Sequence, residues 1–115
     1  MKVFKFGGAS IKNAAAVRNM SSIIAKHKDE NLVIVVSAMG KSTNALEHIL
    51  NAQFHKQDTN NLLNDLLVYH TEIMDELFPK GHNIYGLVDA IFSDLKAKLS
   101  QPFGYDELYD QIISY

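Results

Sequence analysis

Residues 32–44 read LVIVVSAMGKSTN. Leu32 to Val36 is apolar at every position and mostly β-branched, so both faces of a strand built from it are apolar. A continuous run of this kind suits a parallel strand covered on both sides. A parallel strand needs a partner and a helical crossover. Both precede it. Val3 to Phe6 reads as a short buried strand that Gly7 and Gly8 end, and Asn13 to Lys28 places Val17, Met20 and Ile24 at a helical period. Lys26 and Lys28 fall in the expected last turn, where cations favour the helix dipole, and Asp29-Glu30-Asn31 connects to the second strand. The first third is therefore a βαβ unit, whose crossover is expected to be right-handed.

Beyond residue 44 the pattern is helical. Ala45 to Gln57 carries Leu46, Ile49, Leu50 and Phe54. Asn61 to Leu77 carries Leu62, Leu66, Ile73 and Leu77 on one stripe, with His70 beside it, and the Phe78-Pro79-Lys80-Gly81 break follows. Ile84 to Leu99 is the cleanest amphipathic segment, with Ile84, Leu87, Val88, Ile91, Phe92, Leu95 and Leu99 at the helical period. Gln101 to Gly104 reads as a turn, and Tyr105 to Tyr115 as a last helix with Asp106 and Glu107 in its first turn. The expected organisation is a βαβ part over 1–44 with both strand-end loops, then a helical region over 45–115. Two parallel strands are not a self-sufficient α/β sheet, and the last helix carries no stop signal. An N-terminal piece of a longer domain is expected on that basis. The competing reading is a complete small helical domain with a two-stranded edge.

Composition narrows the function classes. The chain has 115 residues, 47% of them hydrophobic, and a net charge of -2. That is a globular composition with a real core. No basic field covers it, which argues against a nucleic-acid partner. It has no cysteine, so disulfides and thiolate metal sites are impossible. A reducing cytoplasm fits. No apolar run reaches the length of a membrane span, and the N-terminus lacks the pattern of a signal peptide. His27, His48, His55, His70 and His82 show no metal-ligand spacing, so no metal site is expected from them. His70 reads as a core residue, and Tyr105, Tyr109 and Tyr115 as packing residues.

The chemistry-bearing residues sit at the two strand ends. Lys5-Phe6-Gly7-Gly8-Ala9-Ser10 spans the end of the first strand and the loop after it. Glycines let a backbone approach a ligand. Free N–H groups at a loop and helix start attract phosphate oxygens, Ser10 offers a hydroxyl, and Lys5 offers a mobile positive charge. In open α/β sheets ligands bind outside the carboxyl ends of strands. The structural alternative is a plain Gly-Gly turn with Ser10 or Asn13 as a helix cap and Lys5 as a snorkelling edge residue. Lys5 lies between Phe4 and Phe6, and a lysine in a buried strand needs a partner. The second strand ends in Ser37-Ala38-Met39-Gly40-Lys41-Ser42-Thr43-Asn44. Ser37, Ser42, Thr43 and Asn44 offer hydrogen bonds to a small polar substrate; the alternative is helix capping by Asn44 with Glu47. Neither a P-loop nor a dinucleotide-binding glycine pattern is present.

MKVFKFGGAS followed by LVIVVSAMGKSTN resembles the opening of the aspartate kinases, in the amino-acid kinase family. Members begin with a strand carrying Lys-Phe-Gly-Gly-Thr-Ser, and a second strand ends in a Val-Ser-Ala-Met-Gly-like segment closing with Thr-Asn. Asp110 to Tyr115 is similar to a stretch that in the family leads into a Gly-Glu substrate element. The resemblance implies an α/β, carbamate-kinase-like fold: a βαβ part, then a helical subdomain, with the sheet incomplete in this chain. It implies transfer of the ATP γ-phosphoryl group to the β-carboxylate of L-aspartate, with Mg2+ accompanying ATP. Lys5 would contact the transferred phosphoryl group. Phe6, Gly7, Gly8 and Ser10 would line the ATP phosphates. Ser37 and Thr43 would bind aspartate, and Asn44 would support the loop. Ala9 departs from the family's Thr, which removes a hydroxyl and leaves the backbone donors. The family's kinase domain continues well past position 115, so a segment inactive by itself is expected, as is a homo-oligomer. A related kinase acting on another substrate, and a helical interaction module with a structural Gly-Gly turn, are the alternatives.

Overall fold

The computed structural model describes residues 1–101 and 104–115, without the side chain of Tyr105. The elements run β1 (Lys2–Phe6), a 3-10 turn (Gly8–Ile11), α1 (Ala14–Ala25), β2 (Leu32–Val36), α2 (Ser42–Phe54), α3 (Asn60–Leu77), α4 (Ile84–Leu99) and α5 (Tyr105–Ile113). They form two compact units, Met1–Ser42 and Thr43–Tyr115. The turn expected at Gln101–Gly104 has its central residues, Pro102 and Phe103, outside the described residues.

The first unit is a parallel pair joined by a helical crossover. β1 and β2 run in register from Lys2 opposite Leu32 to Phe6 opposite Val36. Asn13 caps α1, its side-chain oxygen accepting the Ala16 N–H at 2.8 Å. The helix stops at Ala25, so Lys26 is its C-cap and Lys28 lies outside it. Ala14, Ile11 and Phe6 are the buried apolar residues of this unit. The far end of the sheet is pinned by charge: Lys2 Nζ lies 2.8 Å from Glu30, which also pairs with His27. His27 in turn meets the edge of Phe4, 5.0 Å between centroids.

The expected burial of the strands is not what the chain provides. Val33, Ile34, Val35 and Val36 are exposed, Val36 at 55%, and Val3 at 56%. Alternation puts Val33 and Val35 on one face of β2 and Ile34 and Val36 on the other, so β2 lies open on both faces, although Phe6 and Phe4, on the same face of β1 as Ile34 and Val36, are buried and half-buried. Lys5 is also exposed, on the face it shares with Val3, Val33 and Val35. Its charge is solvated and needs no protein partner.

The second unit packs four helices around one cluster: Leu46, Ile49 and Leu50 from α2, Leu63 and Leu66 from α3, Leu95 and Leu99 from α4, and Leu108 and Ile112 from α5. Ile49, Leu50, Leu95, Leu108 and Ile112 are fully buried, each contributing roughly 2 kcal/mol of apolar transfer. Hydroxyls tie the helices at the rim. Tyr109 donates to Glu47 at 2.9 Å and Tyr85 to Asp75 at 2.8 Å. Tyr115 bonds Asp94, and Lys98 sits 4.6 Å over the Tyr115 ring. These contacts are polar as well as apolar, which a packing role alone for Tyr109 and Tyr115 does not describe. His70 sits part-buried, its Nδ1 2.9 Å from the Leu66 carbonyl oxygen and its ring edge-on to Phe92. Leu87 and Ile91, on the expected apolar stripe of α4, are exposed. α2 starts at Ser42, so Asn44 is its third residue and not its cap.

Candidate functional site

The two strand-end loops leave the same edge of a parallel pair, because Phe6 and Val36 are the last residues of their strands and lie opposite one another. The ladder continues past the strands. Ser37 N–H donates to the Phe6 carbonyl at 3.0 Å, and Gly40 N–H to the Gly8 carbonyl at 3.0 Å. Lys5 to Gly8 and Ser37 to Gly40 are thus brought together as one backbone surface.

Within it the paired glycines differ. A Cβ on Gly8 would lie 2.5 Å from the Gly40 carbonyl oxygen and 3.0 Å from that of Ala38. Gly8 is therefore a close-approach position between the loops. A Cβ on Gly7 would meet nothing within 4 Å, and Gly7 has an ordinary extended backbone, φ -73° and ψ 173°. Gly7 leaves open space at the loop surface, and no packing explains it.

Ser10 lies exposed in the 3-10 turn, with its N–H donated to the Gly7 carbonyl at 3.0 Å. The N–H groups of Gly8 and Ala9 have no acceptor among the described residues, as is usual at the start of a helical turn. Ser37 is exposed. Thr43 and Asn44 are exposed in the first turn of α2 and belong to the helical unit. Ser42 is different. It is 5% exposed, and both its N–H (3.0 Å) and its hydroxyl (2.6 Å) donate to the Met39 carbonyl. Its hydroxyl is taken up internally, against the expectation that it faces a substrate.

Sequence reasoning assigned no part to Gly40 or Lys41. Gly40 has φ +54°, and Lys41 does not share the positive φ. The Ser42 N–H to Met39 bond closes this four-residue turn, whose positive φ at the first central residue alone is the sign pattern of a type II′ turn. A glycine four residues past the end of an apolar strand, just ahead of a helical pattern, is the signal that could have found it. Lys41 is exposed and adds a second ammonium to the loops. Chemically, the loop edge offers free backbone donors, two ammonium groups, exposed hydroxyls and no carboxylate, so it suits an anion.

No group of three His, Asp or Glu side chains able to hold a metal occurs among the described residues. The helical unit carries an open groove of about 660 Å³ between α3 and α4, bordered by Asn60, Asn64, Leu67, Asp89, Phe92 and Lys96. None of the strand-end residues lines it. No helix among the described residues is long and apolar enough to cross a membrane.

Comparison with known proteins bears on both sequence and fold. Over 44 residues, 38% of this chain, the sequence is 48% identical to Aspartokinase 2, chloroplastic, of Arabidopsis thaliana and 46% identical to Aspartokinase 1, chloroplastic, of the same plant. Each match takes in 8% of the relative. The chain superposes on the aspartate kinase of Clostridium acetobutylicum with a TM-score of 0.73 at 19% identity, over 97% of this chain and 26% of that one. That identity speaks to the fold, a mixed α/β arrangement with a two-stranded parallel sheet and mostly helices, which is part of an aspartate kinase fold. The model of the amino acid kinase family matches residues 1–108, and the chain belongs to the amino acid kinase family.

Proposed function

We propose that this chain supplies the phosphate-binding edge of an aspartate kinase, which moves the γ-phosphoryl group of ATP onto the β-carboxylate of L-aspartate. The observation that carries the reading is the joined pair of strand-end loops, rich in donors and ammonium groups, with open space at Gly7. The named relatives, two aspartokinases and an aspartate kinase, support the same substrate.

A carboxylate oxygen attacks the γ-phosphorus, the bond from that phosphorus to the bridging oxygen breaks, and the products are an acyl phosphate and ADP. The nucleophile is ionised at neutral pH and needs no general base. Nucleophile and electrophile are both anionic, so what must be supplied is alignment and positive charge. Lys5 provides the charge at the transferred group. The loop from Phe6 through Gly7 and Gly8 to Ser10 provides N–H donors and a hydroxyl to the phosphates. Ser37 and Thr43 bind the aspartate, and Asn44 supports their loop. Mg2+ accompanying ATP would be held largely by the phosphates themselves, and the part assigned to this chain is electrostatic and geometric. A reducing compartment such as the cytoplasm suits a chain without cysteine.

The chain spans less than a third of each relative's length, and we assign it no turnover of its own. Titration of ATP into the chain is the direct test. Lys5→Ala is expected to weaken binding about tenfold or more, the scale of one charged hydrogen bond; equal affinity of variant and parent removes Lys5 from the site. With aspartate and ATP present, ADP release is expected to stay at background. Turnover at the roughly 1–100 s⁻¹ typical of kinases would show that the chain suffices alone.

The competing reading, a structural Gly-Gly turn, gains one observation: Gly8 has a packing reason to be glycine. Gly7 has none, and that asymmetry favours a ligand at the loop.

A further inference from the structure

We propose that Gly8, Gly40 and Ser42 form a clamp that fixes the spacing of the two strand-end loops, with Ser42 as its positioning residue. The role in phosphoryl transfer rests on the function proposed above; the clamp itself does not.

Three observations carry it. Ser42 is the one buried polar residue among those described, and its hydroxyl goes to the Met39 carbonyl rather than outward. That carbonyl accepts twice from Ser42, from N–H and from Oγ, which closes the turn over Gly40. The positive φ of Gly40, +54°, is the backbone state this turn needs, and few other residues adopt it without strain. The closed turn presents the Gly40 N–H to the Gly8 carbonyl at 3.0 Å. The Gly40 carbonyl oxygen also lies so near Gly8 that a Cβ there would be 2.5 Å away. A donor and a steric wall from one residue thus meet one glycine of the other loop. Neither loop can shift against the other without losing the bond or colliding.

Gly8 then serves the spacing, and Gly7 is the glycine a phosphate approaches. A site that must bring two anions together gains from loops that are rigid before the ligand arrives, since alignment is what it contributes. Ser42 touches neither anion and acts through Gly40.

Amide hydrogen exchange and ATP titration on the same chain test this. Ser42→Ala is expected to speed exchange at the Gly40 amide about threefold to tenfold, the weight of one hydrogen bond, while Ile49 and Leu95 amides keep their rates. Ser42→Thr, which keeps the hydroxyl, is expected to restore the Gly40 rate. Gly8→Ala is expected to reproduce the fast Gly40 exchange by pushing the loops apart. Gly7→Ala is expected to leave it unchanged while weakening ATP binding. An unchanged Gly40 rate in Ser42→Ala overturns the clamp, and so does an equal rise at every amide. If the parent chain takes up no ATP, the proposed function loses its support, and the Gly40 exchange rates still decide the clamp.

Discussion

Gly7 and Gly8 are neighbours in the chain and opposites in their surroundings. Alanine at Gly7 meets empty space at an ordinary φ, so its main effect on folding is to reduce the freedom of the unfolded chain. Gly7→Ala is expected to be neutral or to stabilise by about 0.5 kcal/mol. Gly8→Ala drives a methyl group onto backbone oxygens that no rotamer change can move, and about 1–3 kcal/mol of destabilisation is expected. Urea unfolding of the two variants side by side checks both, and equal midpoints would contradict the contact geometry. Glu30 is a second residue with a measurable signature. The Lys2 ammonium, and then His27, hold its carboxyl below the ordinary value of 4.5. A depressed folded value stabilises above the ordinary value and is lost as pH falls through the folded one. Glu30→Gln is therefore expected to lower the melting temperature at pH 7, with the difference from the parent closing as the pH drops below about 4. A gap that persists in acid would assign the effect to something other than charge.

Among the elements, α5 is the most consequential for the helical unit. It is nine residues long, yet it places Leu108 and Ile112 fully inside the cluster. Ile112→Ala is expected to cost about 2–5 kcal/mol by cavity formation, readable as a lower urea midpoint, whereas Ile91→Ala on the exposed side of α4 is expected to change little. Helices were legible in the sequence because their period is long and repeated: α4 spans Ile84–Leu99 as its apolar spacing indicates. The same spacing overstated its buried face, since Leu87 and Ile91 remain exposed. The parallel pairing of β1 and β2 was legible from LVIVV and the crossover between. Its exposure was not, because a pattern states what a strand would bury and not whether a cover exists. The start of α2 was misplaced because Asn44 is a good cap by type. What begins the helix is the Ser42 bond to a carbonyl three residues back, and that depends on the Gly40 backbone. The asymmetry of Gly7 and Gly8 had no local signal, since it arises from a loop more than thirty residues away.

For the whole molecule, the two units differ in how much holds them. Residues Met1–Ser42 have three buried apolar side chains, whereas the helical unit has a nine-residue cluster. Local opening follows burial, so the amides of β2 are expected to exchange sooner than those of Ile49, Leu95 and Ile112; matching protection would argue that the chain opens as one. The uncovered valines and Ile34 lie on a pair whose outer edges carry no further strand among the described residues. Such edges invite other chains. Self-association rising with concentration is therefore expected in sedimentation, and Val35→Lys is expected to reduce it. The vacancy beside Gly7 has a practical use. Because the chain contains no cysteine, Gly7→Cys would furnish a solitary thiol at that spot, accessible to a small fluorophore without disturbing its neighbours. A label seated there would fill the place proposed for the phosphates, so loss of ATP uptake on labelling would mark the spot as the ligand's own.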